Sequence, residues 1–221
     1  MIAERIRTLH EELPAGVELV AVSKFHPVDA LMQAYDAGQR RFGESRVQEL
    51  IEKIPQMPAD VKWHFIGHLQ TNKVRHLVGK CEMIESVDSD KLLELIDRES
   101  ERAGVVSRVL MQVHVAKEET KFGFLPEELL SWFKDKKFEA LKATHICGVM
   151  GMASNTDDMN RVGSDFAEIR RVFDEILAIP DLNLRGFDTV SMGMSGDWPL
   201  AVEHGSNLVR VGTYIFGPRE Y

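Results

Sequence analysis

Apolar, β-prone segments alternate with amphipathic segments of helical period along the whole chain. This alternation is typical of successive βα units, which build a parallel sheet. Eight strand segments are predicted: Leu19–Ser23, Arg40–Gly43, Val61–Ile66, Met83–Val87, Arg108–Val115, His145–Met150, Arg185–Val190 and Leu208–Gly212. Eight units predict a single closed α/β barrel of the TIM (β/α)₈ type, and an open doubly wound sheet is the alternative.

The segments between the strands predict helices that cover the sheet. They include Val28–Ala37, Ser45–Ile54, Leu69–Val78, Lys91–Ala103, Pro126–Lys136 and Asn160–Ala178. Only nine residues follow the eighth strand, too few for a full covering helix, so we expect the amphipathic segment Met1–Glu12 to help close the outer ring. A chain of 221 residues with 44% apolar side chains fits one domain over residues 1–221.

Composition narrows the kind of partner. A formal net charge of −8 disfavours nucleic acid and anionic membranes, both of which attract clustered Lys and Arg, and so favours a small-molecule ligand. Cys81 and Cys147 lie outside any CxxC arrangement and are interpreted as reduced, structural thiols. No secretion signal and no apolar run of about 18 residues is found, which predicts a cytoplasmic protein.

Lys24 closes the first predicted strand, where a buried segment meets a loop. An ammonium at the mouth of an apolar barrel loses hydration, which lowers its pKa and leaves more neutral amine for Schiff-base formation. The sequence therefore suggests a carbonyl-capturing lysine, and an ordinary solvent-facing lysine is the alternative.

The loops after the seventh and eighth strands have the composition of a phosphate site. The first runs through Ser191–Asp197, and the second begins with Gly212 and Thr213. Glycines let backbone N–H groups approach an anion, hydroxyls donate further hydrogen bonds, and barrels commonly bind phosphate at this position. Ordinary turn chemistry would produce the same composition.

Arg210 lies near the end of the otherwise apolar eighth strand, on the face opposite Val209 and Val211. Its guanidinium could donate a hydrogen bond to a ligand acceptor in the barrel mouth and keep that atom unprotonated, because arginine does not give up its proton. The alternative is a structural ion pair with an acid such as Glu203.

Other patterns are less specific. His64 and His68 have the HxxxH spacing, but no HExxH context or third ligand accompanies them, so structural roles are favoured over metal binding. Residues Lys117–Phe124 predict a solvated loop that could also cover the mouth. No P-loop, GxSxG or GxGxxG fingerprint occurs, which disfavours kinase, hydrolase and dinucleotide-enzyme assignments.

Together these segments closely resemble the pyridoxal-phosphate homeostasis proteins, whose fold is related to the N-terminal barrel of alanine racemase. The resemblance covers nearly the whole chain. Its carrying motifs are VAVSK at 20–24, FGESRVQE at 42–49, HFIGHLQTNK at 64–73, KFG at 121–123, SMGMSGD at 191–197, EHGS at 203–206 and VRVG at 209–212.

The resemblance implies a cofactor, pyridoxal 5′-phosphate (PLP), and a role for each site residue. Lys24 is expected to hold PLP as a Schiff base, Arg210 to face the pyridine nitrogen, and Ser191, Gly212 and Thr213 to contact the phosphate. Ser45 stands where the family usually has asparagine, and its shorter side chain is expected to reach the ring less directly.

The same resemblance implies a vitamin B6 homeostasis protein that stores or transfers PLP without catalytic turnover. An arginine at the ring nitrogen opposes its protonation and narrows the carbanion chemistry available. Racemase-like enzymes take a second base from a C-terminal β domain, whereas this sequence stops at Tyr221. The alternatives are a weak amino-acid racemase or other simple PLP-dependent enzyme, and a scaffold that acts through partner binding. The expected partners are PLP and apo PLP enzymes as recipients, with the protein itself a monomer and neither nucleic acid nor membrane involved.

Overall fold

Eight parallel strands close into a barrel in chain order in the computed structural model, which describes residues 1–116, 122–182 and 184–218. The strands are β1 (Glu18–Val22), β2 (Arg41–Glu44), β3 (Lys62–Phe65), β4 (Met83–Val87), β5 (Ser107–Val113), β6 (Thr144–Gly151), β7 (Thr189–Ser191) and β8 (Leu208–Val211). Strand β8 pairs with both β7 and β1, and Arg210 lies beside Val20 in that last register. The predicted closed barrel is therefore confirmed, and the open sheet is wrong.

Seven of the predicted strands lie within two residues of the observed bounds, and the seventh is wrong at its start. It was predicted over Arg185–Val190, but β7 covers only Thr189–Ser191. Gly186 has a φ of 70°, in the left-handed region, so the chain turns there instead of extending. The backbone joins β6 only at Asp188, whose N–H donates to the carbonyl of Cys147.

Helices cover the outside of the barrel. They are α1 (Ile2–Glu12), α2 (Val28–Asp36), α3 (Val47–Lys53), α4 (Val74–Leu77), α5 (Asp90–Ala103), α6 (Pro126–Lys134), α7 (Met159–Ala178), α8 (Trp198–Glu203) and α9 (Thr213–Phe216). The single helix predicted over Leu69–Val78 is wrong. Gln70 has an extended backbone, and an extended residue cannot belong to an α-helix. A 3₁₀ turn over Thr71–Lys73 follows it, and only then does the short α4 begin.

The predicted segment Met1–Glu12 forms helix α1, which packs beside α9, a short helix that the sequence did not predict. Ile6 and Leu9 are fully buried, and the Arg5 guanidinium donates to the carbonyl of Ile215 in α9 at 3.1 Å. Together α1 and α9 cover the part of the ring that no full helix after β8 could cover.

The strands divide their side chains between two apolar regions. Outward-facing residues pack under the helices, whereas an inner cluster consisting of Val20, Met83, Leu110, Cys147, Met150 and Leu208 fills the barrel itself. Among the described helices, none is both long and apolar enough to cross a bilayer.

Candidate functional site

An open cavity of about 220 Å³ lies where the strands of the barrel end. We call it the Lys24 cavity; its walls are Val22, Lys24, Ile66, Met152, Met194, Ser195, Gly196, Arg210, Gly212 and Thr213. The C-terminal face is where barrels of this kind place their ligands. The structure thus brings together four residues that the sequence singled out: Lys24, Arg210, Gly212 and Thr213.

Lys24 is held between two tightly fixed neighbours. Phe25 has a φ of 69°, rare for a residue with a side chain, and its N–H donates to Glu49 Oε1 at 2.6 Å. The ring of Phe25 lies 4.5 Å from the Arg46 guanidinium. On the other side, the Ser23 hydroxyl donates to Glu44 Oε1 at 2.6 Å. The backbone that carries Lys24 is therefore anchored on both sides.

A buried ammonium joins these anchors. Lys53 Nζ donates to the Ser23 carbonyl at 2.9 Å, to Glu44 Oε1 at 2.8 Å and to Glu49 Oε1 at 2.7 Å. Its side chain is only 7% exposed. We call Lys53, Ser23, Glu44 and Glu49 the Lys53 cluster; its charge-assisted bonds are stronger than neutral ones and fix the turn at Lys24. Nothing in the sequence distinguishes Lys53 from any other lysine near a helix end.

Glu44 gives this cluster a pH dependence. Burial raises the pKa of Glu44 to about 6, against the opposing effects of Lys53 and the Ser23 hydroxyl. The folded pKa thus exceeds the ordinary value of 4.5, so the stability gained by protonation is fully present below about pH 4.5 and lost as the pH rises through about 6.

The variant Glu44→Gln should lack this pH dependence, because an amide does not titrate. Relative to the variant, the wild type is expected to lose about 2 kcal/mol of unfolding free energy between about pH 4 and 7. Urea unfolding of both proteins across that range measures the difference. Parallel stability curves would show that Glu44 titrates at an ordinary pH.

Arg210 is buried at the floor of the Lys24 cavity. Its NH1 donates to Ser191 Oγ at 2.5 Å and its NH2 to the carbonyl of Gly151 at 2.9 Å. Burial lowers the pKa of its guanidinium, while Glu85 and Asp197 act in the opposite direction, and it remains a cation. The acid that balances this charge is Glu85, 3.8 Å away, and not Glu203 as the sequence allowed.

Glu85 is fully buried inside the barrel. Its Oε1 lies 2.6 Å from His64 Nδ1, and its Oε2 accepts from Ser191 Oγ at 2.5 Å. Burial alone would raise the pKa of Glu85, but the hydrogen bond and charge of His64, then Arg210 and the Ser191 hydroxyl, outweigh burial and lower it. Glu85 is therefore an ionised acid held by two hydrogen bonds and by the charge of Arg210.

The two histidines of the HxxxH pattern serve different carboxylates. His64 contacts Glu85, whereas His68 Nδ1 lies 2.8 Å from Asp88, with its ring stacked 3.8 Å from that of Phe122. In the described part of the chain, no group of three or more His, Cys, Asp or Glu could hold a metal ion. Most of the predicted loop, residues 117–121, lies outside the described residues.

Ser195 is the serine that lines the Lys24 cavity beside Gly212 and Thr213. Its Oγ accepts from the N–H groups of Gly212 at 3.2 Å and Tyr214 at 3.3 Å. Gly193, with a φ of 95°, turns the chain after β7 and brings Ser195 to this position. The family resemblance implied a phosphate contact from Ser191, in the same loop. Ser191 instead ends β7 pointing into the barrel, is fully buried, and contacts Arg210 and Glu85.

Ser45 also lies apart from the Lys24 cavity. It lines a neighbouring cavity together with His68 and Lys73. Its assignment to the cofactor ring stays a prediction that this placement does not support.

The whole chain matches known proteins. The family model for the alanine racemase N-terminal domain covers residues 1–220. A pyridoxal phosphate homeostasis protein of Schizosaccharomyces pombe is 41% identical over 209 residues, which span 92% of this chain and 85% of that protein. The chain belongs to the pyridoxal phosphate homeostasis protein family. The Haemophilus influenzae member is 36% identical over 100% of this chain and 94% of its own length.

Solved structures agree with this family assignment. PipY of Synechococcus elongatus, solved without PLP, superposes with a TM-score of 0.91 at 39% identity, covering 98% of this chain and 100% of PipY. PipY with PLP bound gives a TM-score of 0.88. An Enterococcus faecalis alanine racemase shares the fold at 20% identity and a TM-score of 0.75, and this chain covers 57% of that enzyme.

Proposed function

We propose that this protein binds pyridoxal 5′-phosphate in the Lys24 cavity, as a Schiff base on Lys24, and stores or transfers it to maintain the PLP supply of the cell. The observation that carries the proposal is the set of groups in one cavity: an amine, a buried guanidinium and a cluster of hydroxyl and N–H groups. PipY, the solved relative that binds PLP, has the same fold.

The residues present fit the three functional parts of PLP. The Lys24 amine suits the aldehyde, which condenses with amines. Ser195, Gly212 and Thr213 line the cavity and suit the phosphate, which accepts hydrogen bonds from hydroxyls and backbone N–H groups. Arg210 suits the pyridine nitrogen, which can accept a hydrogen bond.

Each residue has a defined task in this proposal. Bound PLP supplies an electron sink for amino-acid chemistry when its ring nitrogen is protonated. Arg210 cannot readily lose its own proton and so leaves that nitrogen unprotonated, which weakens the cofactor's ability to withdraw electrons. The Lys53 cluster keeps the Lys24 backbone in place, so the amine meets the aldehyde in a fixed orientation.

A transfer assay tests storage and delivery. The PLP-loaded protein is mixed with an apo PLP-dependent enzyme, and recovery of that enzyme's activity is followed beside an equal concentration of free PLP. We expect recovery with the loaded protein, and a second incubation with L-amino acids should leave their chirality unchanged. Rapid, Lys24-dependent formation of D-amino acids would replace the carrier proposal with a racemase.

Ser195 provides a test of the phosphate position. Loss of a hydrogen bond to a charged group costs about 1.5–3 kcal/mol, so Ser195→Ala should weaken PLP binding about tenfold or more. Pyridoxal, which lacks the phosphate, is the matched control ligand, and its affinity should not change. Fluorescence titrations with both ligands measure this difference. An equal loss for both would move the phosphate away from Ser195.

A further inference from the structure

A second cavity lies at the opposite end of the barrel from Lys24. We call it the N-terminal cavity; it measures about 360 Å³, and the residues lining it include His64, Met83 and Leu208 from inside the barrel. Charged pairs stand at its rim, Arg41 with Glu18 at 2.7 Å and Arg108 with Glu82 at 3.1 Å. This cavity plays no part in the proposed binding of PLP.

His64 connects this cavity to the barrel interior. Its side chain is 3% exposed, with Nδ1 facing Glu85. Its other ring nitrogen, Nε2, is buried without a hydrogen-bond partner among the described residues. Since buried polar atoms are nearly always paired, an orphaned nitrogen beside a cavity is a place for a hydrogen bond with a molecule in that cavity.

From His64, a continuous chain of hydrogen bonds runs through the barrel to the Lys24 cavity. It passes from His64 to Glu85 at 2.6 Å, from Glu85 to Ser191 at 2.5 Å, and from Ser191 to Arg210 at 2.5 Å. All four residues are buried, with at most 4% of any of them exposed. In a buried interior of low dielectric constant, hydrogen bonds polarise one another, so a change at one end of the chain alters the hydrogen bonds at the other end.

We propose that Glu85 is a positioning residue for Arg210 and His64 a positioning residue for Glu85, so that the chain couples the N-terminal cavity to the Lys24 cavity. The inference rests on the proposed binding of PLP beside Arg210.

The direction of each proton explains why Glu85 is central. The Ser191 hydroxyl has one proton, which it uses to donate a hydrogen bond to the Glu85 carboxylate. Its oxygen lone pairs therefore accept the hydrogen bond from Arg210. Likewise the Glu85 carboxylate can only accept, so it takes a hydrogen bond from His64 Nδ1 and fixes the orientation of the His64 ring. An amide at position 85 would remove the charge that sets both directions.

The first experiment compares Glu85→Gln with Asp97→Asn. Asp97 is also a buried acid, but it accepts from the N–H groups of Lys142 and Ala143 outside the barrel interior, so it controls for lost stability. PLP is titrated into each full-length variant, and the absorption spectrum is recorded at saturation. Glu85→Gln should weaken PLP about tenfold or more and shift the absorption band of the bound cofactor, because Arg210 loses its balancing charge. Asp97→Asn should retain the wild-type band.

The second experiment uses the N-terminal cavity as an entry route. His64→Ala leaves a space that opens into this cavity, so added imidazole can reach Glu85. His64→Ala should show a shifted band in the same direction, and imidazole should restore the wild-type band. This readout also covers the case in which Glu85→Gln does not fold.

The outcomes separate this inference from the proposed function. If the wild type binds no PLP, the proposed function itself fails. If the wild type binds PLP, and both His64→Ala and Glu85→Gln have the same spectrum and affinity as the wild type, only the coupling is wrong. A shifted band in His64→Ala that imidazole does not restore would also overturn the coupling and leave a purely structural role.

Discussion

Lys24→Ala is expected to abolish the covalent attachment of PLP while leaving the barrel folded. Among the described residues, Lys24 is the one lysine that lines the cavity, and an imine cannot form there without its amine. After incubation with PLP, and before any reduction, the variant should show no visible-edge absorbance from an imine. After reduction with borohydride, the intact variant should show no added mass. Residual non-covalent binding through Arg210 and Ser195 is compatible with the account.

Lys73→Ala is the matched control for this experiment. Lys73 lines the neighbouring cavity that contains Ser45, at the same end of the barrel, and is exposed. It should bind and be reduced like the wild type. A reducible adduct that persists in Lys24→Ala and disappears in Lys73→Ala would contradict our account, because it would place the reactive amine in the cavity that contains Ser45.

Lys53→Met should cause the largest loss of stability among the substitutions proposed. Removing one partner of a buried ion pair costs about 3–5 kcal/mol, because the remaining charge is left uncompensated. Lys53 supports two carboxylates and the Ser23 carbonyl, and its side chain is nearly inaccessible. We expect urea unfolding to show a loss of about that size, together with weaker PLP binding as the Lys24 turn loosens.

Lys137→Met provides the comparison. Lys137 forms an ion pair with Asp90 at 3.1 Å, but both side chains are substantially exposed. Pairs of this kind contribute about 0–1 kcal/mol, so the same chemical change should hardly alter stability there. Equal losses in the two variants would mean that the buried position of Lys53 adds nothing and that the cluster does not anchor Lys24.

The alternation of strands and helices was sufficient to predict the barrel, because side-chain period and segment length are local properties of a sequence. Lys24 and Arg210 could be found for a related reason: each is a cation at the end of an apolar strand. Glu85 differs in lying in the middle of the buried strand Met83–Val87, and a search for any charged residue within a predicted strand would have found it.

The roles of Ser195 and Lys53 could not be predicted from the sequence, because they depend on tertiary structure. Which serine faces the cavity depends on the left-handed turn at Gly193, and the value of Lys53 depends on carboxylates that other elements bring to it. Such partners are set by tertiary packing, not by spacing along the chain. The start of β7 was predicted too early because Gly186, whose φ of 70° turns the chain, lies inside the segment Arg185–Val190 that was predicted as a strand.

Peptide mapping of the wild-type protein after PLP loading and borohydride reduction tests the central claim most directly. Our account predicts one added phosphopyridoxyl group per chain, located on the peptide that contains Lys24. An unchanged intact mass after incubation with excess PLP, or a modification confined to other lysines, would contradict it.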